Sequence, residues 1–227
     1  MIVAMMATVL CANAQYEPGT ISLQGKVGIN VASLTNVDKL PISNTNNLDK
    51  MPIGGSLVGV ELEYQLTKMI CLSAGVHYSE QGQGWKDFKG NIDGENVEIK
   101  DPKFDLYYFN IPVVASFYLY KGLAVKAGVQ FGFLTHADTK FTVEGKEDFG
   151  DGVLRDMTVN SSIKMKDIFK KTDISIPIGV SYEFNNHLIL DARYNLGLTK
   201  VNKEGTFGDK DLKNSVFSLT FGYKIGL

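Results

Sequence analysis

The stretch Phe217-Ser218-Leu219-Thr220-Phe221-Gly222-Tyr223-Lys224-Ile225-Gly226-Leu227 alternates six apolar residues with serine, threonine, glycine and lysine. Successive side chains of an extended strand point to opposite sides, so this segment has one greasy face and one that is polar or very small. A strand of that kind at the end of a chain suits the closing strand of a barrel in a membrane.

Seven earlier segments repeat the pattern, giving eight strands. Their apolar faces begin with Leu23, Val27, Ile29 and Val31, then Val58, Val60, Leu62, Tyr64 and Leu66, then Ile70, Leu72, Ala74, Val76 and Tyr78. The fourth is Tyr107, Phe109, Ile111, Val113, Ala115, Phe117 and Leu119, and the fifth Leu123, Val125, Ala127, Val129, Phe131 and Phe133. Ile174, Ile176, Ile178, Val180, Tyr182 and Phe184 form the sixth, and Leu188, Leu190, Ala192, Tyr194, Leu196 and Leu198 the seventh. Charge is confined to the opposite faces, where Lys26, Glu61, Glu63, Lys126, Glu183, Asp191, Arg193 and Lys224 set four acids against four bases beside His77, Asn30, Asn110, Gln130 and Asn195.

A soluble lipocalin-like barrel would show the same period with its apolar face enclosed. Three features favour the inverse arrangement. Gly28, Gly59, Gly75, Gly128, Gly132, Gly179, Gly197 and Gly222 share the charged face, and a narrow eight-stranded lumen needs small residues wherever long ones must also fit. With strands alternating up and down from a periplasmic N-terminus, Tyr78, Tyr107, Phe109, Phe131, Phe133, Tyr194 and Phe217 gather at the outer end of the apolar band. Tyr64, Phe117, Tyr182, Phe184 and Tyr223 gather at the other end, so two aromatic girdles flank an aliphatic belt. The connections at 67–69, 120–122 and 185–187 are about three residues each, while the four between them run from about fifteen to nearly forty, as periplasmic turns and extracellular loops do. Pro112 and Pro177 sit inside strands that a closed barrel pairs on both sides, which predicts a local bulge at each.

Composition agrees with this reading. No segment approaches the roughly 18 to 20 uninterrupted apolar residues of a spanning helix. The formal charge of -2, with both signs interspersed, offers no broad basic field for nucleic acid. Residues 1–14 read as a signal peptide, an apolar run followed by the small-x-small Ala12-Asn13-Ala14, with cleavage before Gln15 and a single barrel domain over 15–227. Loss of Cys11 with that segment leaves Cys71 alone, a strand cysteine of the kind that packs inertly.

Several of these segments resemble the PorT-like outer-membrane β-barrel family of Bacteroidetes. The matching stretches are Gly25-Lys26-Val27-Gly28-Ile29-Asn30, Tyr78-Ser79-Glu80-Gln81-Gly82, residues 108–113 with their Ile-Pro pair, and Ala127-Gly128-Val129-Gln130-Phe131-Gly132, where Val129 replaces the family's usual proline. Asp191-Ala192-Arg193-Tyr194-Asn195-Leu196-Gly197-Leu198 is the most specific match. The resemblance implies a Gram-negative outer membrane and insertion by the barrel assembly machinery, which reads the final strand; that strand ends here in Leu227 where phenylalanine is common. Some members of the family are linked to secretion or gliding machinery, and most have no assigned activity.

The residues leave three places for function. The eight lumen charges either line a conduction path or neutralise one another and plug the barrel, with Arg193 as the anchor of that network. His136 lies beside Asp138, His77 near Ser79 and His187 in a turn, none with a nucleophile or metal-ligand spacing of the kind catalysis needs. The long loops carry Trp85 and Phe88, then Phe141 and Phe149, as contacts for an extracellular or envelope protein or as a self-packed lid; the basic, mildly amphipathic stretch 163–171 suits lipid headgroups. The expected protein is therefore an all-β, eight-stranded antiparallel up-and-down transmembrane β-barrel of the outer membrane. It is expected to be monomeric, non-enzymatic and without a cofactor, with both termini in the periplasm and a structural or surface-interaction role. A narrow pore for ions or small solutes and an accessory of a secretion machine are the alternatives.

Overall fold

The computed structural model describes residues 17–37, 49–92, 95–148, 154–185, 187–207 and 210–227. The signal segment and Phe149 lie outside these residues. The strands in chain order are β1 (Ile21–Leu34), β2 (Lys50–Met51), β3 (Ile53–Gln65), β4 (Ile70–Trp85), β5 (Phe88–Ile92), β6 (Glu95–Tyr120), β7 (Leu123–Asp148), β8 (Leu154–Lys164), β9 (Thr172–Glu183), β10 (Leu188–Gly197) and β11 (Asn214–Gly226). Eight of them close a ring of antiparallel pairs in the order β1-β3-β4-β6-β7-β9-β10-β11 and back to β1. The seam is complete, for Val27 stands opposite Phe221 on one side and Val58 on the other.

Side-chain exposure decides which face is inside. Val27 and Phe221 are 58% and 61% exposed, whereas Lys26 and Glu61 are 3% and 0% exposed. Only a lipid surround makes that arrangement favourable, because the backbone is satisfied within the ring and the apolar face has acyl chains to meet. One aromatic girdle follows the register: Tyr78 is opposite Phe109, Phe109 opposite Phe133, and Tyr194 opposite Phe217. No helix among the described residues is long and apolar enough to cross a membrane, so crossing falls to the strands.

The prolines correct one expectation. No bulge forms at either; Pro112 stays in register with Gln130, and Pro177 with Asn195. On the other side each proline interrupts the ladder without shifting it, and the residue across the gap is a glycine, Gly75 for Pro112 and Gly128 for Pro177. A missing N–H donor costs a bond but need not displace a strand.

Three strands were not legible as such. β2, β5 and β8 lie outside the ring: β2 pairs with the end of β4, β5 with β6, and β8 with β7. Because β6 and β7 are each 26 residues long, they run past the girdle and carry β5 and β8 as flanks, building a four-stranded extension in the order β5-β6-β7-β8.

Candidate functional site

All eight lumen charges lie inside the barrel, divided between two clusters. In the central one, Arg193 donates from Nη1 and Nη2 to Glu61 at 2.7 and 3.0 Å, and from Nε and Nη2 to Asp191 at 2.9 and 2.8 Å. Lys26 lies 2.9 Å from Glu61, Lys126 lies 2.9 Å from Asp191, and His77 Nε2 is 3.0 Å from Glu61. Nearer the short turns, Lys224 bridges Glu63 at 2.6 Å and Glu183 at 2.7 Å and donates to the Tyr118 hydroxyl. The central cluster has one excess base and the lower one an excess acid, so the two balance along the axis. A two-toothed guanidinium–carboxylate contact is the strongest such geometry, which makes Arg193 the natural hub.

Glycine makes room for these side chains. A Cβ on Gly75 would sit 2.6 Å from Glu61 Cγ, and one on Gly179 would sit 3.0 Å from Arg193 Cγ. One hollow among them is small. The hollow bounded by Lys26, His77, Gln130, Asp191, Arg193 and Ser218 measures about 10 Å³, room for about one water molecule.

Above the charges the lumen turns apolar. Trp85, Phe104, Leu106, Tyr108, Leu134, Phe169, Val201 and Leu212 form one buried cluster across the mouth, with Trp85 and Phe169 each edge-on to Phe104. Polar side chains bind this lid to the strands beneath. Gln83 accepts from Ser33 Oγ and from the Leu34 amide, Asn202 accepts from the Leu212 amide, and Asp173 accepts from Thr199 and Asn214.

Of the two readings of the loop aromatics, Trp85 and Phe88 take the self-packed lid, and the expectation for 163–171 changes. Trp85 is fully buried and Phe88 packs against the same cluster, so neither is an exposed contact. The stretch 163–171 does not lie on headgroups, since Met165, Ile168 and Phe169 turn inward through a short 3₁₀ turn at Lys166–Ile168 and join the lid. Burial of large apolar side chains outweighs a peripheral lipid contact at this height. Phe141 is half-buried on β7, beside a groove shared with Trp85 and Ser161.

The histidines are accounted for structurally. His77 belongs to the Glu61 network, His187 is 4.0 Å from Glu183, and His136 is 2.8 Å from Asp138 at the rim of the extension. Nearby, Lys140 is 2.7 Å from Asp105, whose hydrogen bond holds the lysine's pKa above its ordinary value. Among the described residues no group of three or more His, Cys, Asp or Glu side chains is arranged to hold a metal ion.

A barrel that is greasy outside, ionic within and extended on one side matches a known family. The description "Outer membrane protein beta-barrel domain" fits residues 13–203. The chain belongs to this family. No curated protein matches it in sequence. Among solved structures it is similar to Ail, the attachment invasion locus protein of Yersinia pestis, solved with the heparin analogue sucrose octasulfate, at 14% identity and a TM-score of 0.46 over 92% of this chain and 99% of that one. It is also similar to Neisserial surface protein A, at 16% identity and 0.43 over 90% and 97%. A third is the outer membrane protease OmpT from Escherichia coli, at 10% identity and 0.35 over 96% and 100%.

Proposed function

We propose that this outer-membrane barrel is a non-catalytic anchor whose working part is the extracellular β5-β6-β7-β8 sheet. The observation that carries the reading is the contrast between a closed interior and an open sheet. Buried ion pairs cross the lumen beneath an apolar lid, around a central hollow of about 10 Å³, whereas β8 projects past the girdle with Val159 and Ile163 exposed. Rigid scaffolds that hold contact surfaces clear of their support are a common basis for recognition.

In this reading both termini face the periplasm, residues 1–14 are an export signal, the barrel assembly machinery inserts the chain, and one copy suffices for each barrel. The segment Asp191-Ala192-Arg193-Tyr194-Asn195-Leu196-Gly197-Leu198 favours the PorT-like branch of the family.

The test is surface labelling on intact cells in a cysteine-free background. A membrane-impermeant maleimide should modify Asn160→Cys in the sheet and leave Lys68→Cys in a short turn untouched until the outer membrane is opened. Labelling of position 68 but not 160 would reverse the topology and remove the proposed surface from the outside. Planar-bilayer recording should show no steady channel; steady currents altered by Lys126→Gln would transfer the function to the lumen.

A further inference from the structure

We infer that β8 is a self-complementary edge that pairs antiparallel with β8 of a second copy seated in a facing membrane. The inference rests on the reading of the extension as the working surface and names its partner. Among the described residues β8 pairs along its whole length with β7 and has no strand on its other side. Such an edge presents a row of backbone donors and acceptors to an incoming strand, and soluble proteins usually blunt it with charge, proline or a bulge. Between Asp156 and Lys164 this edge has none of these. Met157-Thr158-Val159-Asn160-Ser161-Ser162-Ile163 contains no charged residue, proline or glycine, and its register with β7 is unbroken.

The side chains favour one occupant. Fold β8 back on its own copy about Asn160, and Asp156 falls opposite Lys164 at both ends of the joint. Met157 falls opposite Ile163, Thr158 opposite Ser162 and Val159 opposite Ser161. Both members of every pair lie on the same face, as antiparallel partners must. A joint centred on Val159 instead sets Arg155 against Ile163 and Asp156 against Ser162, losing both ion pairs. Val159, 41% exposed, continues the apolar row of Ile99 and Val143, while Ile163, 45% exposed, lies on the same face beside Thr139 and meets Met157 across the joint.

Topology says where the second copy sits. Two antiparallel copies of one strand are related by a two-fold axis perpendicular to their sheet. The extension continues β6 and β7 past two register shifts, and the barrel segments of these strands stand at about 40° to the membrane normal. That axis therefore turns one barrel upside down relative to the other. Copies in one membrane cannot meet this way, and copies in opposed membranes can. Asn160 stands opposite Thr142, nine residues beyond the girdle residue Phe133. At ~3.4 Å per residue and that tilt, the joint lies about 20 Å above the girdle, so paired girdles are about 40 Å apart. One short joint is weak, and the array of copies on two surfaces supplies the avidity.

The test uses the full protein in phosphatidylcholine vesicles, in two dye-labelled populations scored for clustering. Wild-type vesicles should cluster, with a steep dependence on protein density. Asp156→Lys alone and Lys164→Asp alone should each cut clustering at least tenfold, because each places like charges opposite one another twice. Mixing the two variant populations should restore clustering, since each end of the joint then sets a lysine of one copy against an aspartate of the other. Heat-modifiable gel mobility confirms that each variant is folded. Absence of wild-type clustering, or variants that cluster like wild type, would overturn the pairing, as would a mixture that fails to recover; the edge would then be left to a foreign strand. If position 160 is labelled from outside and vesicles still stay apart, only the pairing falls and the surface role stands.

Discussion

Two buried interiors are stacked in this molecule, and they are built on opposite rules. Within the bilayer the tube hides Lys26, Glu61, Asp191 and Arg193 and shows Val27, Val58 and Phe221. Above the girdle it hides Trp85, Phe104, Leu106 and Leu212, while Lys103, Lys140 and His136 are left part-exposed or exposed. The single strand β6 obeys both. Its inward residues are Phe104, Leu106 and Tyr108 at the top and Asn110 and Ser116 below; its outward ones change from Lys103, with Asp105 buried beneath its ion pairs to Lys103 and Lys140, to Phe109, Val113 and Phe117. The backbone is indifferent to the change. The solvent decides, lipid below and water above, and the girdle marks where it switches.

The largest expected effect separates the two interiors outright. Arg193→Met strands the Glu61 and Asp191 carboxylates in a closed lumen, and breaking a buried pair in this way costs about 3–5 kcal/mol. Urea unfolding in lipid should show the whole barrel destabilised by that amount; an unchanged midpoint would mean the network contributes nothing. Trp85→Ala should be equally costly locally, about 3 kcal/mol for a lost core aromatic, but its effect belongs to the lid. Protease should then cut the loops faster while the barrel's gel mobility is unaltered. If both change together, the interiors are one cooperative unit.

Gly128→Val is a smaller test of the narrow lumen. A Cβ there would collide with the Val113 carbonyl oxygen, and such overpacking costs about 1–3 kcal/mol, again read as a lower urea midpoint. Lys140 offers the gentlest one. Its pKa is raised by Asp105, so the pair stabilises the rim below the ordinary lysine value of 10.5 and loses that contribution as pH climbs through the raised value. A nitroxide at position 142 should become more mobile in that alkaline window in the wild type, and should show no such step in Lys140→Met.

The ring of eight strands and its inside-out polarity were legible because lipid imposes strict alternation, as the unmixed faces of Leu188–Gly197 and Asn214–Gly226 show. The same alternation puts all eight charged side chains on the buried face. Their division into two clusters was not legible, since it depends on how far each side chain reaches along the axis. The extension escaped because the alternation loses its phase on the way up. Thr135 and His136 both fall where Tyr107 has one place, so β7 buries even-numbered residues up to Leu134 and odd-numbered ones from Ala137. Asp101, with φ of 48°, and Pro102 break the register of β6 in the same way. The sequence leaves Trp85 open as a contact or a lid residue because an aromatic in a loop carries no periodicity to place it.

The central claim is that lipid meets the outward face between the girdles. In bilayers, a nitroxide at position 58 in a cysteine-free background should collide readily with dissolved oxygen and scarcely with an aqueous nickel chelate, while the same label at position 142 should do the reverse. A label at position 58 that the nickel chelate quenches freely would contradict it.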